Sequence, residues 1–169
     1  MYRRARAGIA FLPQESSIFR GLTVEENLLA VLETRREKGF SPHGAARQLM
    51  ERFGLLSLAR QLSSTLSGGE KRRLEIARAL ALSPSYLFLD EPFTGIDPIA
   101  IGEIQTLLGE LKKEGLGILV SDHNVRETLG ITDRAYVLND GVVLAEGKPD
   151  VLTVNPKVIE VYLGQSFRL

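Results

Sequence analysis

Cysteine is absent from the sequence, and neither sign of charge is in excess, because 21 Lys and Arg residues balance 21 Asp and Glu residues. The lack of cysteine excludes a disulfide framework and thiolate metal sites, and it is compatible with a reducing compartment. Electrical neutrality provides no overall field that would attract nucleic acid or an anionic membrane. We therefore expect no nucleic-acid partner.

Long hydrophobic runs are missing too, because no apolar stretch approaches the roughly 18–20 residues that cross a bilayer. Only residues 7–12 separate the basic start of the chain from Pro13, which is too short for the apolar region of a secretory signal peptide. With 44% apolar and 25% charged residues, the chain has the composition of one ordinary globular domain. Any membrane association is expected to come through partners.

The first part of the chain is predicted to hold one strand followed only by helices. Residues 8–12 form a short apolar run that is typical of a buried strand, and Pro13 ends it. Residues 23–64 carry helical patterns, which begin with Thr23 and Glu26 in the spacing of a capping box. The sequence thus predicts a helical subdomain inserted after a strand.

From residue 67 onwards, helical and strand patterns alternate. The apolar runs 86–89 and 117–120 have the continuous hydrophobicity of strands that are buried on both faces. A hairpin is indicated around residues 139–141, and residues 150–163 are expected to be helical. Strands separated by helices predict an α/β fold with a mainly parallel sheet.

The run Leu66-Ser67-Gly68-Gly69-Glu70 is typical of a helix start that can receive an anion. Ser67 and Glu70 have the spacing of a capping box, and the glycines would let an anion approach backbone N–H groups. Three cations follow. Cations near a helix N-terminus interact unfavourably with the helix dipole, so an anion nearby would explain their placement. An ordinary capped helix with a solvated basic face explains the same residues equally well. The cations are Lys71, Arg72 and Arg73.

Two carboxylates, Asp90 and Glu91, directly follow the apolar run 86–89. In open α/β sheets, ligands bind beyond the carboxyl ends of the strands. One carboxylate there could hold Mg²⁺, directly or through water, and the other could deprotonate a water molecule. The alternative is a strand exit at which two acids are simply solvated.

Further polar residues occupy comparable positions. His123 follows the predicted strand 117–120, and Gln14 follows the first predicted strand. Both side chains could lie beside the carboxylates, although a single histidine is more often a structural hydrogen-bonding residue. Asp97 precedes Pro98 in the pattern of a helix N-cap followed by proline at the first helical position.

The order of these motifs resembles that of ABC ATPases over essentially the whole chain. The family's Q-loop, helical subdomain, signature motif, Walker B strand, D-loop and switch histidine correspond here to Gln14, residues 15–65, residues 66–70, Asp90 with Glu91, Asp97 and His123. The resemblance implies an α/β fold, a partial P-loop NTPase fold with an inserted helical subdomain.

The resemblance also implies domain boundaries. Residues 1–14 would end the first core segment, and residues 15–65 would form the helical subdomain. Residues 66–155 would hold the signature helix and a RecA-like α/β core. A C-terminal helix and tail would follow at residues 156–169.

The resemblance implies a homodimer that holds ATP and Mg²⁺ between the P-loop of one subunit and the signature motif of the other. Asp90 and Gln14 would serve the metal, and Glu91 would be the general base. His123 would contact the γ-phosphate. The residues that would bind the opposite subunit's nucleotide or shape the dimer interface are Ser67, Gly68, Gly69, Glu70 and Asp97.

Residues 11–20, 122–129 and 162–169 resemble more narrowly the lipopolysaccharide-export ATPases of Gram-negative bacteria. This likeness implies ATP hydrolysis that powers lipopolysaccharide export, on the cytoplasmic face of the inner membrane. Transmembrane permease subunits would dock in a groove at Phe19 and Arg20. The alternatives are a branched-chain amino acid importer ATPase and a non-catalytic interaction module. A soluble ABC protein of DNA repair or translation is disfavoured, because no long coiled coil or tandem cassette is present.

A P-loop motif, G-x-x-x-x-G-K-[ST], is not found in the sequence. The pair Gly147-Lys148 precedes Pro149 and lacks the upstream glycine that the motif requires. In the family, this loop lies well before the Q-loop. We therefore expect a truncated subunit that has no appreciable ATPase activity by itself.

Overall fold

The computed structural model describes residues 2–35 and 37–163. They form two compact units, which divide between Ser121 and Asp122. The first unit contains α1 (Tyr2–Arg6), β1 (Ile9–Leu12), α2 (Val24–Leu32), α3 (Pro42–Arg52), 3₁₀ turns at Leu56–Leu58 and Ser63–Thr65, α4 (Gly68–Leu80), β2 (Tyr86–Asp90), α5 (Pro98–Lys113) and β3 (Gly117–Ser121). The second contains α6 (Val125–Leu129), β4 (Ala135–Asn139), β5 (Val142–Gly147), α7 (Pro149–Thr153), α8 (Pro156–Val158) and a π-helical turn at Ile159–Leu163.

Strands β1, β2 and β3 form a parallel sheet in that order, which confirms the predicted parallel arrangement. In register, Leu12 lies beside Leu89, which in turn lies beside Val120. The strands therefore end at the same edge of the sheet. Asp90 follows at this edge and pairs with Ser121.

The expectation that β2 and β3 are buried on both faces is wrong. Leu87 and Leu89 are 0% and 2% exposed, whereas Tyr86 and Leu119, on the other face, are 54% and 56% exposed. Phe11 of β1 shares this open face and is 44% exposed. Side chains alternate between the faces of a strand, so a continuous apolar run does not show whether one or both faces are covered.

The start of α2 confirms the predicted capping box. The Thr23 hydroxyl accepts the Glu26 N–H at 3.2 Å, and the Glu26 carboxylate accepts the Thr23 N–H at 2.8 Å. In the first turn of the same helix, Asn27 is fully buried. Its side-chain oxygen accepts the Phe19 N–H at 2.8 Å, and its nitrogen donates to the carbonyl groups of Phe19 and Leu22. Asn27 therefore fixes the loop between β1 and α2.

The other predicted N-cap, Asp97, is also confirmed. Its carboxylate accepts the N–H groups of Ile99 and Ala100 at 3.1 and 3.0 Å, and Pro98 is the first residue of α5. The short helix α1 was not predicted.

The second unit confirms the predicted hairpin, in which β4 and β5 are antiparallel. Asp140 and Gly141 have φ angles of 46° and 79°, and positive φ at both central residues is what a type I′ turn requires. The hairpin packs against a small apolar core. This core consists of Leu129, Leu152 and Val158, with Val125, Ala135, Val137 and Ala145 packed against it.

The expected helix over residues 150–163 is interrupted. Helix α7 ends at Thr153, and α8 begins at Pro156, with the side chain of Asn155 accepting the Lys157 N–H at 3.0 Å. Proline lacks the N–H that would continue the α7 ladder, which accounts for the break. Residues 164–169 of the predicted tail lie outside the described residues. Among the described helices, none combines the length and apolar character needed to cross a membrane.

Candidate functional site

Glu91 leaves β2 in an unusual backbone conformation, with a φ of 43°. Its N–H donates to the Ser121 carbonyl at 2.7 Å, and its own carbonyl accepts from Arg72 Nη2 at 3.3 Å. A left-handed conformation costs a non-glycine residue about 1–3 kcal/mol and persists only where the surroundings enforce it. The hydrogen bonds of the Glu91 N–H with Ser121 and of the Glu91 carbonyl with Arg72 thus fix this conformation and hold the Glu91 side chain at the sheet edge.

Gln14 lies beside Glu91, as the common edge of the parallel strands predicted. Gln14 Nε2 donates to Glu91 Oε2 at 2.7 Å, although the residues are 77 positions apart in the sequence. The Thr94 hydroxyl donates to the same oxygen at 3.0 Å. The carboxylate is therefore oriented by two hydrogen-bond donors.

Asp90 points to the same strand end, where its Oδ1 accepts a hydrogen bond from the Ser121 hydroxyl at 2.7 Å. Among the described residues, no group of three or more His, Cys, Asp or Glu side chains could hold a metal ion. Mg²⁺ commonly uses one or two carboxylates, with waters and substrate phosphates completing its shell. The single carboxylate of Asp90 fits a magnesium ion held in this way.

His123 belongs to the second unit. Its Nδ1 lies 3.7 Å from Asp122 Oδ1, and its side chain is 68% exposed while that of Asp122 is buried. Asp122 Oδ1 also accepts the Asn124 N–H at 2.8 Å. The role predicted for His123 stays a prediction.

The start of α4 has the predicted capping box. Ser67 Oγ accepts the Glu70 N–H at 3.3 Å, and Glu70 Oε2 accepts from the Ser67 N–H and hydroxyl, both at 2.8 Å. These hydrogen bonds, with the backbone one first, lower the pKa of the Glu70 carboxyl. Ser67 and Gly68 are exposed, so the first turn of α4 is accessible from solvent.

The two glycines of this turn have a packing role that the sequence analysis missed. A Cβ on Gly69 would lie 2.6 Å from Ala100 Cβ, and one on Gly68 would lie 3.2 Å from the Gly95 carbonyl oxygen. Ala100 belongs to the first turn of α5, which Asp97 caps. The glycines therefore allow α4 to approach the start of α5 closely.

The solvated basic face that was one alternative for α4 is wrong for Arg72. Its side chain is 6% exposed and lies 3.1 Å from that of Glu75, which is 3% exposed. Arg73 forms an ion pair with Glu103 of α5. The anions beside these two cations are thus carboxylates of the chain itself.

Four residues of this site were missed as contributors: Arg72, Glu75, Thr94 and Ser121. Arg72 and Glu75 have the i,i+3 spacing of a helical ion pair, and that spacing could have indicated their contact. Thr94 and Ser121 carry no comparable pattern, because hydroxyl groups in turns and at strand ends are common.

Phe19 presents an aromatic ring at the surface beyond Gln14. It is 49% exposed, and the Arg78 guanidinium lies 4.9 Å from its ring centroid. Burial lowers the pKa of Arg78, which also donates to the Ser17 hydroxyl at 2.6 Å. Arg20 is exposed beside Phe19. The surface just after Gln14 thus carries a half-exposed aromatic ring with one arginine packed on it and a second, exposed arginine next in the sequence.

Known proteins are similar to this chain in sequence and in fold. The model of the ABC transporter family matches residues 1–94, and that of the branched-chain amino acid ATP-binding cassette transporters matches residues 142–168. A probable ABC transporter ATP-binding protein of Azorhizobium caulinodans is 53% identical over the whole of this chain, which covers 60% of that relative. The lipopolysaccharide export system ATP-binding protein LptB of Acidithiobacillus ferridurans is 50% identical over the whole chain and 70% of its own length.

Among solved structures, an ATP-binding cassette of an ABC transporter in its ADP conformation has a TM-score of 0.83 at 29% identity. The match covers 96% of this chain and 71% of that cassette. The chain thus spans about 60% to 70% of the length of the curated relatives described above. With its α/β fold and its ordered motifs, the chain belongs to the ABC transporter ATP-binding family.

Proposed function

We propose that this chain is the water-activating and dimer-facing part of an ATPase that powers an ABC transporter. The observation that carries the proposal is the 2.7 Å hydrogen bond from Gln14 to Glu91 at the exit of β2. It places a neutral amide against a carboxylate in the position where a parallel sheet binds its ligand. Glu91 would accept a proton from the attacking water, and Gln14 would orient the carboxylate.

Asp90 would hold Mg²⁺, directly or through water, and Gln14 is the second candidate for the metal. Bound Mg²⁺ neutralises charge on the phosphates during transfer. His123 would contact the γ-phosphate of ATP. The exposed first turn of α4 would close on the nucleotide of a second subunit, with its N–H groups and helix dipole favouring the anion. The residues assigned to that contact or to the dimer interface are Ser67, Gly68, Gly69, Glu70 and Asp97.

The transported substrate is lipopolysaccharide in this proposal, which is supported by the 50% identity to LptB of Acidithiobacillus ferridurans over the whole chain. The match of residues 142–168 to branched-chain amino acid transporters favours a second candidate, an amino acid importer. In either system, transmembrane permease subunits would bind the ring of Phe19 beside Arg20. The chain would then work on the cytoplasmic face of the inner membrane.

Hydrolysis is tested by phosphate release from ATP and Mg²⁺. The purified chain is expected to release no phosphate above background, because it has no P-loop to hold the nucleotide. Mixed with a subunit that carries a P-loop, it is expected to bind in an ATP-dependent manner. Steady release by the chain alone would contradict the expected inactivity, and release that persists in Glu91→Gln would also contradict the proposed role of Glu91. Glu110→Gln, an exposed change on α5, is the matched control.

Partner choice is tested by co-purification with the permease subunits of a lipopolysaccharide exporter or of a branched-chain amino acid importer. Phe19→Ala is expected to abolish binding to the exporter subunits. Phe40→Ala is the matched control, because Phe40 also lies beneath an arginine, with Arg35 4.3 Å from its ring centroid. Binding to the importer subunits alone would favour the second candidate.

A further inference from the structure

A buried ion pair contacts the backbone of the proposed catalytic residue Glu91 and has no role in the proposal above. Arg72 Nη1 is 3.1 Å from Glu75 Oε2, and the two residues are 5% and 3% exposed. Taking two charges out of water costs several kcal/mol for each ion. Such a pair is a weak source of stability, and its other contacts are therefore informative.

The first set of contacts holds the loop on both sides of Gln14. Glu75 Oε1 accepts the Ser17 N–H at 2.9 Å and the Ser16 hydroxyl at 2.7 Å. Arg72 Nη1 donates to the Pro13 carbonyl at 3.4 Å. Each member of the pair thus fixes one end of the short segment from which the Gln14 side chain projects.

The second contact holds Glu91. Arg72 Nη2 donates to the Glu91 carbonyl at 3.3 Å, on the residue whose φ of 43° is unfavourable for a side-chain-bearing residue. Because the Glu91 N–H is bound to Ser121, the guanidinium secures the opposite end of the strained residue.

Arginine suits this position because its planar fork directs several N–H donors in fixed directions. One nitrogen serves Glu75 and Pro13, and the other serves Glu91. Lysine carries the same charge as a single point and cannot reproduce the fork. A change from arginine to lysine therefore separates the charge of the pair from its geometry.

We propose that Arg72 and Glu75 are positioning residues that set the contact between Gln14 and Glu91. The pair links the signature helix α4 to the Gln14 loop on one side and to the strained exit of β2 on the other. Any effect of this ion pair on catalysis rests on the proposed function of Glu91. The hydrogen bonds that join α4 to the Gln14 loop and to the exit of β2 form in the chain without nucleotide.

The test uses NMR spectroscopy and amide hydrogen exchange on the full chain without nucleotide. Arg72→Lys is expected to raise the exchange rate of the Glu91 amide about tenfold, because local opening becomes easier once its carbonyl is released. The Gln14 side-chain amide resonances are expected to move to the positions of a solvated glutamine. Arg73→Lys is the matched control, because this neighbouring arginine pairs with Glu103 on α5. Arg73→Lys should change neither the exchange rate of the Glu91 amide nor the positions of the Gln14 side-chain resonances.

Glu75→Gln gives the second variant and carries the test if Arg72→Lys does not fold. The substituted amide keeps an oxygen for the Ser17 N–H but removes the charge that fixes Arg72, so the Glu91 and Gln14 signals should again change. Unchanged signals would overturn the proposal. So would equal changes in Arg73→Lys, which indicate general loosening of α4. Because no nucleotide is present, failure of the ATPase proposal would leave these readouts unaffected.

Discussion

Helices α2 and α4 begin with the same hydrogen-bonded motif and present it to different surroundings. In each, a hydroxyl N-cap accepts the N–H of a glutamate three residues later, and that glutamate accepts the N–H of the cap. Hydrogen bonds from the cap lower the pKa of both Glu26 and Glu70. As local structures, the two helix starts are equivalent.

Their neighbours differ. After Thr23, the first and fourth helical residues are Val24 and Asn27, both fully buried. The start of α2 is thus closed by its own chain. After Ser67, an exposed Gly68 follows, and the fourth helical residue is the partly exposed Lys71. A capping box therefore predicts where a helix begins, while the residues around it decide whether that end anchors a loop or faces solvent.

The largest effect is expected at the fourth helical position. Asn27→Ala removes the buried side chain that pairs with backbone groups of Phe19 and Leu22 and is expected to lower the free energy of unfolding by about 3 kcal/mol. Lys71→Ala, the equivalent change in α4, should alter it by less than about 0.5 kcal/mol. Urea unfolding of the two variants measures the difference. Similar losses in both would contradict the contrast between a closed and an open helix start.

A smaller effect is expected at the second helical position of α4. Gly69→Ala places a Cβ 2.6 Å from Ala100 Cβ and should destabilise the chain by about 1–2 kcal/mol, since overpacking outweighs the better helix propensity of alanine. In Gly102→Ala the added Cβ meets nothing within 4 Å. That control should stabilise the chain by up to about 1 kcal/mol. Thermal unfolding of both variants gives the sign, and a stabilised Gly69→Ala would show that the close approach is unnecessary.

The smallest effects are expected at the caps themselves. Ser67→Ala and Thr23→Ala should each cost about 1 kcal/mol, the usual contribution of an N-cap hydroxyl. Equal losses would confirm that the boxes are locally equivalent, and clearly unequal losses would show that their surroundings alter the cap energy too.

The caps also give a pH dependence. A lowered pKa for Glu70 means that its contribution to stability is complete above its ordinary value of 4.5 and is lost as the pH falls through the lower value in the folded state. Melting temperatures between about pH 5 and pH 2 should therefore fall less steeply in Glu70→Gln, which has no carboxyl to titrate, than in the parent chain. Parallel curves would show that Glu70 makes no such contribution.

Local patterns predicted the parts of the fold that local physics determines. Ser67, Thr23 and Asp97 cap their helices because hydroxyl and carboxylate groups satisfy N–H groups within the same turn. The meeting of Gln14 and Glu91 was also predictable, because parallel strands bring their carboxyl ends to one edge.

Other features depend on distant parts of the chain. Arg72 looked like one of three surface cations, and only the packing of α4 against the Gln14 loop buries it. Asn27 reaches Phe19 across a loop that has no regular period. The packing role of Gly69 likewise depends on α5, which begins almost thirty residues later.

The open face of the parallel sheet bears on how the protein behaves at high concentration. Phe11, Tyr86 and Leu119 are each 44% to 56% exposed on one surface, and contiguous apolar surface of this kind promotes self-association. Colloidal stability and the binding of hydrophobic dyes should therefore depend on how much of this apolar face is exposed. The melting temperature should depend on the packing of the buried core. A variant that melts later need not stay longer in solution.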